Sequence, residues 1–387
     1  MTPSERRTTF ALAAALFLRM LGLFMALPVL ALYADKLPGA TPFLVGVALG
    51  FYGLAQAMLQ IPFGRWSDRA GRKPVIALGL SIFTLGGLVA AFAGHIHAVI
   101  LGRALQGAGA VSGATLALAA DLTRPEQRTK SMAIIGISIG VAFSLAFMLG
   151  PVVDAAWGLR GVFLFAAAAG VAALLLVTLG VPRPPPPLAI VVTTTAETSA
   201  HLRALYFGVL FLHLLLASSF VSIPLVLAED LALPKATHYT VYLPSMLLSL
   251  VFVGPLLGRS HRGGLDRRLF PVAIAAIIVA EGLLWGLPPS HAGIIATLTL
   301  FFAGFNFLEA VLPSLISKAA PASSKGAALG TYATGQFVGT FIGGLVGGSA
   351  ASLFGSHGVF AASGLLALLW LVLSQQGVLS LVAPKED

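Results

Sequence analysis

The residues that could do chemistry in this 387-residue chain are ionisable groups set inside long apolar stretches: Arg19, Arg103, His213, Glu281 and Glu309. Neutral polar side chains join them at Gln56, Gln60, Gln106, Asn306 and Gln336. A carboxyl in partly dry surroundings can take up and release a proton near neutral pH, and an imidazole does so by nature. A guanidinium stays charged; it holds an anionic group or a row of carbonyl oxygens. At bilayer depth each such group costs roughly 2.5–3.5 kcal/mol on insertion scales. Each therefore asks for a function or a partner.

Other chemistries find little to work with. Cysteine is absent, which excludes disulfides and thiolate metal sites. There is no H-E-x-x-H motif and no other metal-ligating cluster, so no metal is expected. No G-x-x-x-x-G-K-[ST] loop is present to cradle a nucleotide. Gly136-Ile137-Ser138-Ile139-Gly140 fits G-x-S-x-G, but it falls within a helix rather than on a strand-to-helix turn. Neither an enzyme nor a cofactor is expected.

The elements that must position these residues are membrane helices. Hydrophobic residues make up 58% of the chain, charged residues only 10%, and the mean hydropathy is +0.95. An ordinary soluble domain carries about 25% charged residues, so this chain has too little polar surface for water. Lipid admits only helices or closed barrels, and the apolar runs here are long and unbroken, near the ~20 residues of a spanning helix. The reading is an all-α integral membrane protein with twelve spans, at 9–33, 43–66, 74–94, 97–120, 131–154, 160–182, 204–228, 239–258, 269–288, 291–318, 326–353 and 357–381. The first is too long for a cleavable leader. Of the 23 Lys and Arg, Lys36, Arg160 and Lys235 fall on one side, Arg19 and Arg103 inside helices, and all the others on the opposite side. That asymmetry places both termini in the cytoplasm. It also assigns the net charge of +9 to loops facing lipid headgroups rather than to nucleic acid.

A proline-rich stretch near mid-chain divides the sequence into an N-terminal six-helix bundle (1–182), a cytoplasmic linker (183–203) and a C-terminal six-helix bundle (204–387). Arg124-Pro125 through Lys130 resembles Ala320-Pro321 through Lys325 at an offset of about half the chain, as two parallel repeats would.

Between the second and third spans runs Gly64-Arg65-Trp66-Ser67-Asp68-Arg69-Ala70-Gly71-Arg72-Lys73. It matches the G-x-x-x-D-R-x-G-R-K signature of major facilitator transporters at every fixed position. Arg103-x-x-Gln106-Gly107 resembles that family's second motif, associated with proton-coupled drug exporters. Gly150-Pro151 resembles the core of its antiporter motif, although Ala146 stands where Gly is usual and Asp154-Ala155 replaces the closing Gly pair. Leu18-Arg19-Met20-Leu21-Gly22, Gln60-Ile61-Pro62-Phe63-Gly64, Phe305-Asn306 and Glu309-Ala310 through Lys318 further resemble the bacterial YajR-type transporters, a family assigned to drug:proton antiport. The resemblance covers essentially the whole chain. A small cytoplasmic α/β domain follows the last helix in that family's better-known member; the sequence ends at Asp387, so the resemblance implies a transporter without it.

What the resemblance implies is alternating access by two six-helix bundles related by a pseudo-two-fold axis, driven by protons, in a bacterial inner membrane, as a monomer. Gly64 is expected to let a neighbouring helix approach, and Gly71 to allow a φ > 0 turn. Asp68, Arg69, Arg72, Lys73 and Asp121 then form a conformational latch, with Arg72 reaching Asp121 and Asp68 near the start of helix eleven. Helices one, four, seven and ten line the cavity in this fold. Glu309 is then the leading proton carrier, with His213 second. Arg19, Gln56, Arg103, Gln106, Asn306 and Tyr332 are the expected substrate-cavity residues. Glu281, on a peripheral helix, is given a structural role. The cargo is a small amphipathic or drug-like molecule; the alternative is a small, anionic metabolite moved without protons.

Overall fold

The computed structural model describes residues 1–33, 36–182, 200–260, 265–320 and 325–377. The proline-rich linker lies outside the described residues from 183 to 199. The elements are α1 (Pro3–Phe24), α2 (Pro42–Ala70), α3 (Arg72–Ala91), α4 (Ile96–Ala108), α5 (Ser112–Asp121), α6 (Pro125–Gly180), α7 (Ala200–Glu229), α8 (Tyr239–Ser260), α9 (Leu265–Gly286), α10 (His291–Ala319) and α11 (Lys325–Gly377). Among the described residues nine helices are long and apolar enough to cross a membrane.

Four places differ from the sequence expectation, each for a local reason. The first ends at Phe24 rather than running to residue 33. Turns follow, with Pro28 among them unable to donate to the helical ladder, and then a short 3-10 segment at Leu30–Tyr33. The span expected at 97–120 breaks into α4 and α5 at Gly109–Val111, where Gly109 lies against α3: a Cβ there would sit 2.4 Å from the Gly79 carbonyl oxygen. The fifth and sixth expected spans are two helices that meet without a loop at the non-helical Gly158 within α6, and the last two meet likewise at Gly355 within α11.

These bends share one mechanism. Gly158 has φ 65° and ψ −174°, and Gly355 has φ 74° and ψ −179°. That region of backbone space is essentially closed to residues with a Cβ. The surrounding sequence repeats as well: Trp157-Gly158-Leu159-Arg160-Gly161-Val162-Phe163 recurs as Phe354-Gly355-Ser356-His357-Gly358-Val359-Phe360. In both copies the second glycine lies against the aromatic Cβ, where its own Cβ would come within 2.4 and 2.3 Å.

Contacts divide the chain into two compact units, one of Met1–Ala40 with Phe51–Val192, the other of Thr41–Gly50 with Thr193–Asp387. In the first, α6 packs along α1 and α3. Leu12, Leu16, Ile76, Leu80, Leu118 and Val177 form part of its buried core. The N-terminus is pinned by Glu5, which closes a capping box with Thr2 and pairs with Arg124 at 2.9 Å, ahead of α6.

In the second unit α11 packs most extensively on α7. The contact depends on missing side chains. A Cβ on Gly339 would sit 2.2 Å from the Leu210 carbonyl oxygen, and one on Gly343 2.2 Å from that of Leu214. With backbone on the far side, neither clash can be relieved by a rotamer change. Gly343→Ala should therefore destabilise the protein by about 1–3 kcal/mol, read as a lowered melting temperature in detergent. Gly330→Ala, on the same helix with nothing within 4 Å, should leave stability unchanged or raise it, since alanine favours helix by up to ~1 kcal/mol. Equal effects of the two substitutions would contradict this packing.

Candidate functional site

Each unit encloses a cluster of buried polar groups. In the first, α1 carries Arg19, whose guanidinium donates to Gln56 Oε1 of α2 at 2.9 Å and to Ser112 Oγ at 3.2 Å. Ser112 is the first residue of α5, so the break at Gly109–Val111 sets this partner. The Phe83 ring lies 5.7 Å from the guanidinium carbon. Arg19 and Gln56 are fully buried, and Arg19 Nε and Gln56 Nε2 have no hydrogen bond. Arg19 pairs with no carboxylate among the described residues.

Arg103 on α4 is used differently. It donates to the Leu23 carbonyl at 3.1 Å and to Gln106 Oε1 at 2.9 Å, and stacks on the Tyr52 ring at 4.4 Å. Leu23 lies in the last turn of α1, where carbonyl oxygens lack intrahelical donors and carry partial negative charge. Arg103 thus caps the early end of that helix, and Gln106 steadies it.

In the second unit α7, α10 and α11 bring together His213, Glu309, Tyr332 and Gln336. Glu309 Oε1 accepts from the Gln336 amide at 2.8 Å and from the Tyr332 hydroxyl at 3.1 Å. Its Oε2 has no hydrogen bond, but His213 Nε2 lies 3.6 Å away. Gln336 Nε2 is also 3.2 Å from His213 Nε2, and His213 Nδ1 is 3.1 Å from the Val209 carbonyl. The Phe305 ring packs on the imidazole, with centroids 5.7 Å apart.

The Val209 carbonyl favours one imidazole tautomer. A carbonyl only accepts, so Nδ1 carries the proton toward Val209 and Nε2 is left as an acceptor for the Gln336 amide. A proton can therefore sit on Glu309 Oε2, giving two neutral side chains, or on His213 Nε2, giving an ion pair. The second state requires the Gln336 amide to withdraw from Nε2. The geometry offers two neighbouring atoms, Glu309 Oε2 and His213 Nε2, 3.6 Å apart.

Asn306, one turn before Glu309 on α10, does not join this cluster: its amide donates to Ser249 Oγ of α8 at 3.0 Å. Gln336, at its centre, was legible only as a neutral polar residue. Its partners lie on two other helices, so spacing within α11 could not announce them.

The Gly64–Lys73 motif of the first unit is ordered by Arg72. It bonds Asp68, donates to Asp121 Oδ2 at 3.2 Å, and reaches Ser67 Oγ at 2.8 Å. Lys73 donates to the carbonyls of Thr178 and Val181, at 3.1 and 2.5 Å, at the C-terminal end of α6. Gly71 has φ 93°, the conformation expected of it, while Arg69 is exposed. Gly64 does not show the close approach expected of it: among the described residues a Cβ there would meet nothing within 4 Å. Gly150 does serve such an approach. Its Cβ would lie 2.6 Å from the Met25 carbonyl, with Pro151 following in the helix. Asp154, the departure from the antiporter pattern, accepts from the Tyr33 hydroxyl at 2.5 Å. That hydroxyl in turn accepts from the Leu159 amide at 2.9 Å, just past the bend at Gly158.

The sequence pattern of the Major Facilitator Superfamily matches residues 12–316. The chain belongs to the major facilitator superfamily. It is 43% identical over 381 residues to the inner membrane transport protein YajR of Escherichia coli, a match covering 97% of this chain and 84% of that relative. It is 33% identical over 174 residues to multidrug resistance protein 2 of Bacillus subtilis, 43% of this chain and 42% of that one. Among solved structures, a bacterial homologue of the human lysosomal transporter Spinster superposes with a TM-score of 0.81 at 14% identity, covering 98% of this chain and 97% of that one. The chain is therefore a multi-pass membrane transporter of small molecules rather than an enzyme, and the polar clusters are those of a transporter.

The tautomer offers a direct check on the transporter's second-unit geometry. Nitrogen-15 spectra of histidine-labelled protein should show neutral His213 with its proton on Nδ1. A neutral ring with its proton on Nε2 would contradict the arrangement around Gln336.

Proposed function

We propose that this transporter is a proton-coupled antiporter that exports small amphipathic or drug-like molecules by alternating access. Glu309 is the proton carrier and His213 its exchange partner. The observation that carries this reading is a cluster in which a carboxylate oxygen without a hydrogen bond among the described residues faces an imidazole nitrogen 3.6 Å away. Kinship with an inner membrane transport protein, and the partial match to a multidrug resistance protein, support the choice of cargo class. So do the edge-packed rings of Phe24, Phe143 and Phe147 in the first unit, and of Phe301 and Phe302 in the second.

The topology belongs to the same proposal. Counting the bent α6 and α11 as two spans each, and α4 with α5 as one, gives twelve. The bundles are then 1–182 and 204–387, with both termini in the cytoplasm of a bacterial inner membrane and the chain acting as a monomer. Arg72, with Asp68 and Asp121, serves as a latch that holds in one conformation and opens in the other. The driving force suffices: a proton moving inward gains about 2.3 kcal/mol per 100 mV and about 1.4 kcal/mol per pH unit.

A second reading follows from Arg19, a buried guanidinium paired only with neutral groups. Such a group suits an anionic cargo, and the transporter would then be an exporter or facilitator of a small metabolite without proton drive.

Everted vesicles separate the two. A lipophilic dye should be taken up when an acid-inside gradient is imposed, and the uptake should collapse with a protonophore. Glu309→Gln should abolish proton-driven flux while leaving dye binding to the purified protein intact. Undiminished gradient-driven flux in Glu309→Gln would overturn the assignment of the carrier.

A further inference from the structure

We propose that Glu281 is a second proton-binding site of this protein, a carboxylic acid housed among serines of α7 and α11, apart from the Glu309–His213 cluster. The inference stands independently of the proposed function. Glu281 on α9 is fully buried. Its Oε1 lies 2.5 Å from Ser219 Oγ of α7, and its Oε2 has no hydrogen-bond partner. Among the described residues no charged group opposes it. An ionised carboxylate in that position would be unpaired and nearly dry, the arrangement proteins avoid most strongly.

Hydrogen-bond counting points the same way. Ser219 Oγ is also 2.8 Å from the Leu215 carbonyl. A hydroxyl has one hydrogen, and a carbonyl can only accept. With Glu281 protonated, its O–H donates to Ser219 Oγ and the serine hydrogen goes on to Leu215, so both short contacts are hydrogen bonds. With Glu281 ionised, the serine must turn to the carboxylate and the Leu215 contact is lost. The protonated state satisfies more of the geometry.

The surroundings complete a built pocket. One residue earlier on α7, Ser218 Oγ lies 3.0 Å from Ser363 Oγ of α11, both buried. Gly364 of α11 lies beside Glu281: a Cβ there would sit 3.5 Å from Glu281 Cβ, an ordinary van der Waals contact. Other titratable side chains on the helices around α9 are engaged elsewhere. Glu309, His213 and Tyr332 belong to the first cluster. His357 is 2.8 Å from Asp230 and 3.1 Å from the Leu284 carbonyl, one turn along α9. None of them supplies Glu281 with a counter-charge.

Infrared spectroscopy of the lipid-reconstituted protein tests this directly through the carbonyl stretch of a protonated carboxyl. At neutral pH a band should be present that survives Glu309→Gln and disappears in the near-isosteric Glu281→Gln. In Ser219→Ala the band should remain but shift to higher frequency as its hydrogen bond is lost. The serine variant keeps the test open if Glu281→Gln folds poorly. A spectrum unchanged by Glu281→Gln, or a band insensitive to Ser219→Ala, would overturn the proposal.

Discussion

A charged group enclosed by apolar helices must find a partner or give up its charge, and the polar interior of this transporter follows from that constraint. Arg103 meets it by capping the end of α1, where carbonyl oxygens lack donors. Arg19 meets it with a glutamine, a serine and an aromatic face. Glu309 meets it with His213 Nε2 3.6 Å from one carboxyl oxygen, while Gln336 and Tyr332 hold the other. The same rule that keeps ionisable residues rare in membrane helices makes those that remain informative.

Close helix packing is what brings such partners within reach. The α7–α11 contact rests on glycines whose missing Cβ atoms let one backbone lie against another. His213 is on α7 and Gln336 on α11, so the hydrogen bond between them needs that approach. The bends at Gly158 and Gly355 return each long run across its unit without a separate loop. Packing and chemistry are therefore coupled along α11: the helix that carries Gln336 and Tyr332 also carries the glycines that seat it.

Much of this was legible in the sequence, and the parts that were not share a cause. Composition required membrane helices, and the decapeptide from Gly64 to Lys73 resembled the right family. Arg72 reaches Asp121 as its position suggested. Glu309 and His213 stood out because their residue types are costly where they lie. Gln336 and Ser249 did not, because a neutral polar residue acquires meaning only from a neighbour on another helix. Asn306 shows the same limit from the other side: a helical face touches two neighbours, and the pattern within α10 could not say whether it would turn to α8 or toward Glu309. Gly64 was assigned to packing because glycines usually serve it, yet nothing lies near enough here. The early end of α1 and the break before α5 escaped notice because both fall inside uninterrupted apolar composition. The repeated aromatic-Gly-x-x-Gly turns, by contrast, were in the sequence throughout.

The central proposal is that the Glu309–His213 pair of the second unit exchanges a proton. Charge movement in reconstituted membranes, recorded after a pH jump without any cargo, reads it most directly. The wild-type protein should give a transient proton-binding current that vanishes in Glu309→Gln and is altered in His213→Asn. A full-sized transient in Glu309→Gln would place the exchangeable proton elsewhere and contradict the account.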